Sequence, residues 1–191
     1  MDRTVKLTRE TKETKVTIEL NLDGSGKNDI DIGYKFMDHM LTLFSRHGNI
    51  DLNIKASGDL RHHTIEDVGI TLGKCILEAL GDKKGINRYG SALIPMDESL
   101  ARCALDFCGR KALILDLKLN EECNIEDVAV EDIKHFFNSF AENAKINLHL
   151  ELLYGSNDHH KIEAAFKALA QSIKQAKMIV SDEIPSTKGV L

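Results

Sequence analysis

The sequence predicts a mixed α/β fold of the α+β type, made of two internally duplicated ββαβα halves, each a mixed sheet covered by two helices, related by a pseudo-twofold axis. Three observations carry the prediction. Apolar residues alternate in short runs, they recur at helical spacing in longer runs, and the order of these runs is repeated once along 191 residues. A motif written twice marks the repeat: His62-His63-Thr64-Ile65-Glu66 and His159-His160-Lys161-Ile162-Glu163, 97 positions apart (159 minus 62).

In the first half, Val16, Ile18, Leu20 and Leu22 alternate as a half-buried strand. The turn Asp23-Gly24-Ser25-Gly26 stops it, and a short strand around Ile30 and Ile32 should close a hairpin. Helical spacing follows at Phe36, Met40, Leu43, Phe44 and His47, then a strand with Ile50, Leu52 and Ile54 on one face. The helix of the first doubled motif should bury Ile65, Val68, Leu72, Ile76 and Leu80, with Gly69 and Gly73 allowing a neighbour to approach closely.

The second half keeps the order. Cys103, Leu105 and Phe107 form a strand, Gly109 a turn, and Leu113, Leu115, Leu117 and Leu119 alternate in the next strand. A helix carries Ile133, Phe136, Phe137 and Phe140, a strand Ile146, Leu148, Leu150 and Leu152, and the last helix Ile162, Phe166, Leu169 and Ile173. His39 maps onto His135 at an offset of 96 (135 minus 39), so a third histidine pair joins the doubled motif. The chain is expected to be a single domain over residues 1–191, in two repeats of about 1–94 and 95–191.

Composition narrows the function. With 42% hydrophobic residues the chain can bury a sizeable core, and a net charge of −5 gives no general reason to expect nucleic acid as a partner. The four cysteines, Cys75, Cys103, Cys108 and Cys123, form no CxxC pair, and Met1-Asp2-Arg3-Thr4 lacks the apolar core of a leader. Reduced thiols, a cytoplasmic location and no membrane partner are expected.

Residues i and i+4 share a helix face, so His62 pairs with Glu66 and His159 with Glu163, while the second histidine of each motif points about 100° away. His39, His62, His63, Glu66, His135, His159, His160 and Glu163 thus make eight donors in two symmetric sets, enough for two ions with four protein ligands each. A lone histidine is more often a hydrogen-bonded core or surface residue than a ligand. Doubling, with a carboxylate at helical spacing each time, is what argues for metal. Such donors suit Mn, Fe, Zn, Co or Ni, and four ligands on an ion that accepts six leave positions open for catalysis. In the HExxH of zinc proteases the glutamate lies between the histidines, so this is a different pattern.

These residues, with Thr11-Lys12-Glu13-Thr14, Asp23-Gly24-Ser25-Gly26, Phe36-Met37-Asp38-His39-Met40-Leu41, Pro95-Met96-Asp97-Glu98 and Pro185-Ser186-Thr187-Lys188-Gly189, make the chain resemble the imidazoleglycerol-phosphate dehydratase family over nearly its whole length. The resemblance implies a hydro-lyase that removes water from imidazole glycerol phosphate, giving imidazole acetol phosphate, in L-histidine biosynthesis. It implies two Mn2+ per active site, one held by His39, His63, His159 and Glu163 and the other by His62, Glu66, His135 and His160. It also implies self-association into 24 subunits with metal sites shared between them. Substrate contacts carry over onto Glu13, His47, Arg88, Arg110, Ser186 and Lys188, with Arg88, Arg110, Ser186 and Lys188 around the phosphate and Glu13 as the catalytic acid/base. The chain departs from the family where Gly58-Asp59-Leu60-Arg61 runs straight into His62, a shortened loop, and where Cys108-Gly109-Arg110 stands for the usual Ser-Gly-Arg.

The reaction must break a C–H bond that no carbonyl acidifies, so the substrate's imidazole has to supply the electrons. The expected route is an imidazolate bridging the two ions, which expels the hydroxyl through a diazafulvene. Two other readings compete: a dinuclear hydrolase acting on a phosphorylated metabolite, and a metal-binding or storage module without turnover.

Overall fold

A computed structural model describes residues 3–120 and 123–191. Met1 and Asp2, part of the leader reading, lie outside the described residues. The elements run β1 (Thr4–Glu10), β2 (Thr14–Asn21), β3 (Asn28–Asp31), α1 (Lys35–Gly48), β4 (Asp51–Gly58), α2 (Arg61–Leu80), β5 (Tyr89–Met96), β6 (Ser99–Asp106), β7 (Ala112–Asp116), β8 (Asn124–Ile125), β9 (Val128–Ala129), α3 (Val130–Ala144), β10 (Asn147–Tyr154) and α4 (Asp158–Ala176).

The mixed α/β class and the duplication are seen directly. The first sheet has the order β1-β2-β4-β3 and the second β5-β6-β10-β7, and in each only the last pair is parallel. That parallel pair is a strand-helix-strand crossover, through α1 in the first half and α3 in the second. Helices α1 and α2 cover the first sheet, α3 and α4 the second, and the two layers meet as α2 on α3 and α1 on α4. The helices are therefore inside and the sheets outside, a choice the sequence left open. Val16, Ile18 and Leu20 of β2 point into the core while Lys15 and Glu19 face outward, and β6 alternates in the same way with Ala101, Cys103 and Leu105 buried.

Close packing of the helix layers sets the site. A β-carbon on Gly69 would stand 2.9 Å from the Phe136 carbonyl oxygen, and one on Gly73 2.6 Å from that of Phe140. Two glycines a turn apart thus bring α2 against the backbone of α3, as their spacing suggested. Phe44, Phe136, Phe140 and Phe166 fill the space between the layers, with the Phe136 and Phe166 rings stacked at 5.5 Å.

Three differences from the sequence reading have physical causes. The expected hairpin of β2 with β3 does not form, because β4 lies between them, and the true hairpin is β1 with β2. Each half also gains a first strand, β1 and β5. Both are edge strands, and β5 carries Gly90 and Pro95, so neither shows a long apolar alternation. Finally, β7 stops at Asp116; Leu117 still packs into the core, but Lys118 turns the chain at φ 49°. The change in repeat offset from 96 to 97 also has a structural origin. In β10 the register on β6 shifts between Leu152 and Tyr154, a bulge at Leu153 that inserts one residue just before the second doubled motif.

Candidate metal centre

The α1–α4 contact brings His39, His159 and Glu163 together, with their ligand atoms all within 4.8 Å of one another. His39 Nε2 and His159 Nε2 each lie 3.6 Å from Glu163 Oε2. The α2–α3 contact makes the symmetric arrangement: His62 Nε2 is 4.0 Å from Glu66 Oε2, and the His62 and His135 rings are 4.6 Å apart between centroids. The α1–α4 contact thus assembles three donors within reach of one ion, while the α2–α3 contact sets His62 beside Glu66 and His135, whose Nε2 lies 3.9 Å from Glu131 Oε1.

The second histidine of each motif stays apart from these trios. His63 turns to Asp59 and lies 3.9 Å from Glu13, while His160 turns to Glu98. Helix geometry explains this: the neighbouring residue is rotated by about 100° and cannot share the face of its predecessor.

All four motif histidines have their Nδ1 atom on a carboxylate. The distances are 2.9 Å from His62 to Asp132, 2.9 Å from His63 to Asp59, 3.2 Å from His159 to Glu126, and 2.7 Å from His160 to Glu98. An ionised carboxylate only accepts hydrogen bonds, so each Nδ1 carries the proton and each Nε2 is left with its lone pair. That is the tautomer a metal ligand requires, and such carboxylate support is the usual outer partner of ligating histidines. The donor set fits a divalent cation. The pattern of residue types overlooked these four acids, although Asp59 stands four residues before His63, at helical spacing, and Glu98 falls within a quoted family motif.

The carboxylates are themselves held. Glu98 accepts from the Ser156 and Asn157 amides as well as from His160, and these bonds, His160 first, keep its carboxyl far below the usual range. In return the Glu98 bond raises the His160 imidazole, as the Asp59 bond raises His63. Burial alone would raise the Glu163 carboxyl. The Lys167 ammonium bonded to Glu163 at 2.6 Å, with His39 and His159 nearby, outweighs that and holds the group low. Arg61 reaches Asp132 at 2.6 Å and steadies the partner of His62. His47, on the last turn of α1, is lowered chiefly by burial, with Lys167 adding to it.

The remaining sequence candidates gather elsewhere. Arg88, Cys108, Gly109, Arg110, Ser186 and Lys188 line one cavity of about 310 Å³. Arg88 is fixed by Asp106, at 2.7 and 3.0 Å, and by the Pro185 carbonyl at 2.7 Å, tying the C-terminal segment to the second sheet. None of the metal donors lines that cavity. His39 and His159 instead line a separate open hollow with Phe36 and Glu126. Glu13, in the β1–β2 turn, is exposed beside His63.

Comparison with known proteins identifies the family. Residues 32–173 match the family profile described as imidazoleglycerol-phosphate dehydratase. The chain is 51% identical over 192 residues to the imidazoleglycerol-phosphate dehydratase of Chloroherpeton thalassium, covering 99% of this chain and 98% of that one. It is 50% identical to that of Methanococcoides burtonii, covering 99% and 100%. Among solved structures, the Staphylococcus aureus imidazoleglycerol-phosphate dehydratase superposes with a TM-score of 0.85 at 37% identity, over 93% of this chain and 99% of that one. The Pyrococcus furiosus enzyme in complex with (S)-C348 superposes with a TM-score of 0.84 at 36% identity, over 97% and 100%. The chain belongs to the imidazoleglycerol-phosphate dehydratase family, and it is a dehydratase, a lyase, of histidine biosynthesis.

Proposed function

We propose that the chain removes water from imidazole glycerol phosphate, giving imidazole acetol phosphate, with two Mn2+ per active site. The observation that carries the proposal is the trio of His39, His159 and Glu163 with its counterpart of His62 beside Glu66 and His135, together with four motif histidines whose Nδ1 atoms are all held by carboxylates. His39, His159 and Glu163 would hold one ion and His62, Glu66 and His135 the other, completed by His63 and His160 respectively. When bound, the ions supply Lewis acidity and a fixed template for the substrate's imidazole.

The protein groups divide the remaining work. Arg88, Arg110, Lys188 and Ser186 receive the phosphate, arginine by its planar fork and lysine as a point charge. The ring's N–H proton and the adjacent hydroxyl leave as water, and the ring becomes a diazafulvene. Glu13 takes the proton from the next carbon, and the resulting enol tautomerises to the ketone. Its position beside His63, exposed to solvent, puts Glu13 at the edge of the donor sets. His47, held low chiefly by burial with Lys167 adding to it, lies on the last turn of α1, the helix that also carries His39.

Each chain keeps His63 and His160 away from its own trios, which supports ligation of one chain's ions by a second copy and hence self-association, the 24-subunit assembly of the resemblance included. Complete metal removal should then reduce particle size in light scattering, and an unchanged size would count against shared ligation. No helix among the described residues is long and apolar enough to cross a membrane. Free Cys75, Cys103, Cys108 and Cys123 support a cytoplasmic location. The dehydration itself is tested by following imidazole acetol phosphate with purified protein. Release of inorganic phosphate in its place would select a hydrolase, and no turnover by manganese-loaded protein would select a metal-binding module.

A further inference from the structure

We propose that Lys83 is an additional anion-binding residue of the cavity lined by Arg88, Arg110, Ser186 and Lys188, its ammonium placed behind Gly109 to meet the substrate's phosphate. The proposal rests on the phosphate reading of that cavity.

Lys83 sits in the loop between α2 and β5 and is only 4% exposed. Among the described residues its ammonium has no hydrogen bond or ion pair, and burial is the main reason its pKa is lowered. Asp106, whose charge acts on Lys83, is engaged at both oxygens by Arg88. A buried cation without a partner is costly, and an anion arriving beside it would relieve that cost. A β-carbon on Gly109, a wall of the cavity, would stand 3.1 Å from the Leu191 carbonyl carbon and 3.3 Å from Lys83 Nζ, so the ammonium and the C-terminal residue both meet that wall. The missing side chain is what opens the cavity wall to the ammonium.

The backbone points the same way. Lys83 and Arg88 both adopt positive φ, 61° and 72°, a conformation that side-chain-bearing residues rarely adopt. The loop is held there by the Lys83 amide on the Leu80 carbonyl at 3.0 Å, Gly85 on Glu183 at 2.8 Å and Arg88 on Ala176 at 2.9 Å. Strain that the surroundings enforce is characteristic of ligand clamps, and here one short loop places Arg88 on the cavity and Lys83 behind its Gly109 wall.

The test compares wild type with Lys83→Met, Lys83→Gly and Lys83→Arg in the full-length, metal-loaded protein. Glycine tolerates the positive φ and so removes the side chain without backbone cost. Calorimetric titration with inorganic phosphate should show a loss of roughly tenfold or more in affinity for the Met and Gly variants and a loss of only a few-fold for Arg. Imidazole binding, which reports on the metal centre, should be unchanged. Thermal midpoints should stay level or rise, because a cation kept for a ligand contributes no native pairing. Phosphate affinity within twofold of wild type, a parallel loss of imidazole binding, or failure of both the Met and Gly variants to fold would overturn the proposal. So would a wild type that does not bind phosphate. If phosphate binding depends on Lys83 but imidazole glycerol phosphate is not dehydrated, the proposed reaction fails and this inference stands. If dehydration occurs with KM unaffected by Lys83→Met, the reverse holds.

Discussion

Replacing Glu98 by glutamine should disarm His160 without disturbing the fold. Glu98 Oε1 accepts from the amides of Ser156 and Asn157 at 3.1 and 2.8 Å and from Ser99 Oγ at 3.1 Å, while Oε2 faces His160 Nδ1 at 2.7 Å. In Glu98→Gln these donors, with Ser156 Oγ at 3.3 Å, keep the amide oxygen on their side, so the NH2 group must face the imidazole. It can only donate, and His160 Nδ1 must then accept, which moves the ring proton to Nε2 and removes the lone pair a metal ion would use. Loss of such outer support typically costs 10–100-fold in metal affinity, about 1.4 to 2.7 kcal/mol. Two assays read it: competitive titration of manganese, and nitrogen chemical shifts of labelled histidine in the metal-free protein, which separate the two tautomers. Unchanged manganese affinity, or a His160 ring that keeps its proton on Nδ1, would refute the reasoning.

Further predictions concern packing, pH and the proton acceptor. In Gly73→Ala the new β-carbon would stand 2.6 Å from the Phe140 carbonyl and 2.8 Å from the Ala144 amide nitrogen, neither of which can swing away. The α2–α3 contact must open, with a loss of about 1–3 kcal/mol against a helix-propensity gain of about 1 kcal/mol, seen as a lower thermal midpoint and weaker metal binding by His62, Glu66 and His135. Lys177 is buried, donates to the carbonyls of Leu22 and Asn49, and has its pKa pushed down to about 8 from 10.5, chiefly by burial. Because the unfolded chain keeps this proton longer than the native one, stability should rise between pH 8 and about 10.5, by up to about 3 kcal/mol. Denaturant titrations across that range should lose this rise in Lys177→Met. Glu13→Gln should cut kcat by about 100-fold or more with metal content intact, and near-normal turnover would exclude Glu13 as the group that moves the carbon-bound proton.

Much of the fold could be read from residue periodicity because the inner strands and the helices each bury one regular face. Val16, Ile18 and Leu20, or Phe136, Phe137 and Phe140, announce their elements by that burial. The edge strands β1 and β5 could not be found this way, since an edge strand with Lys6 and Arg9, or with Gly90 and Pro95, is stabilised by backbone pairing to its neighbour more than by its own apolar pattern. The insertion of β4 between β2 and β3 was hidden for a related reason: sequence neighbours across a turn look like a hairpin until a later strand takes the place between them.

The candidate site divides along the same line. Helical spacing separated His62 with Glu66 from His63, and His159 with Glu163 from His160, because that geometry is local. Which histidines meet is a tertiary matter. His39 reaches Glu163, 124 residues on (163 minus 39), only because α1 packs on α4. Arg88 and Lys188 share a cavity only because the Pro185 carbonyl bonds the Arg88 side chain and draws the C-terminal segment across. Asp132 and Glu126 lie in and before a helix where acids are ordinary, and nothing in their type marks them as partners of His62 and His159.

The central claim is that two metal ions per chain, held by the doubled motif with His39 and His135, make the reaction possible. Its most direct test is a titration of metal-free protein with manganese in which bound metal and formation of imidazole acetol phosphate are measured on the same samples. The account predicts no product without metal, saturation at about two ions per chain by the count of donors, and turnover that rises as the second ion binds. Full turnover in metal-free protein, or saturation at one ion per chain with full activity, would contradict it.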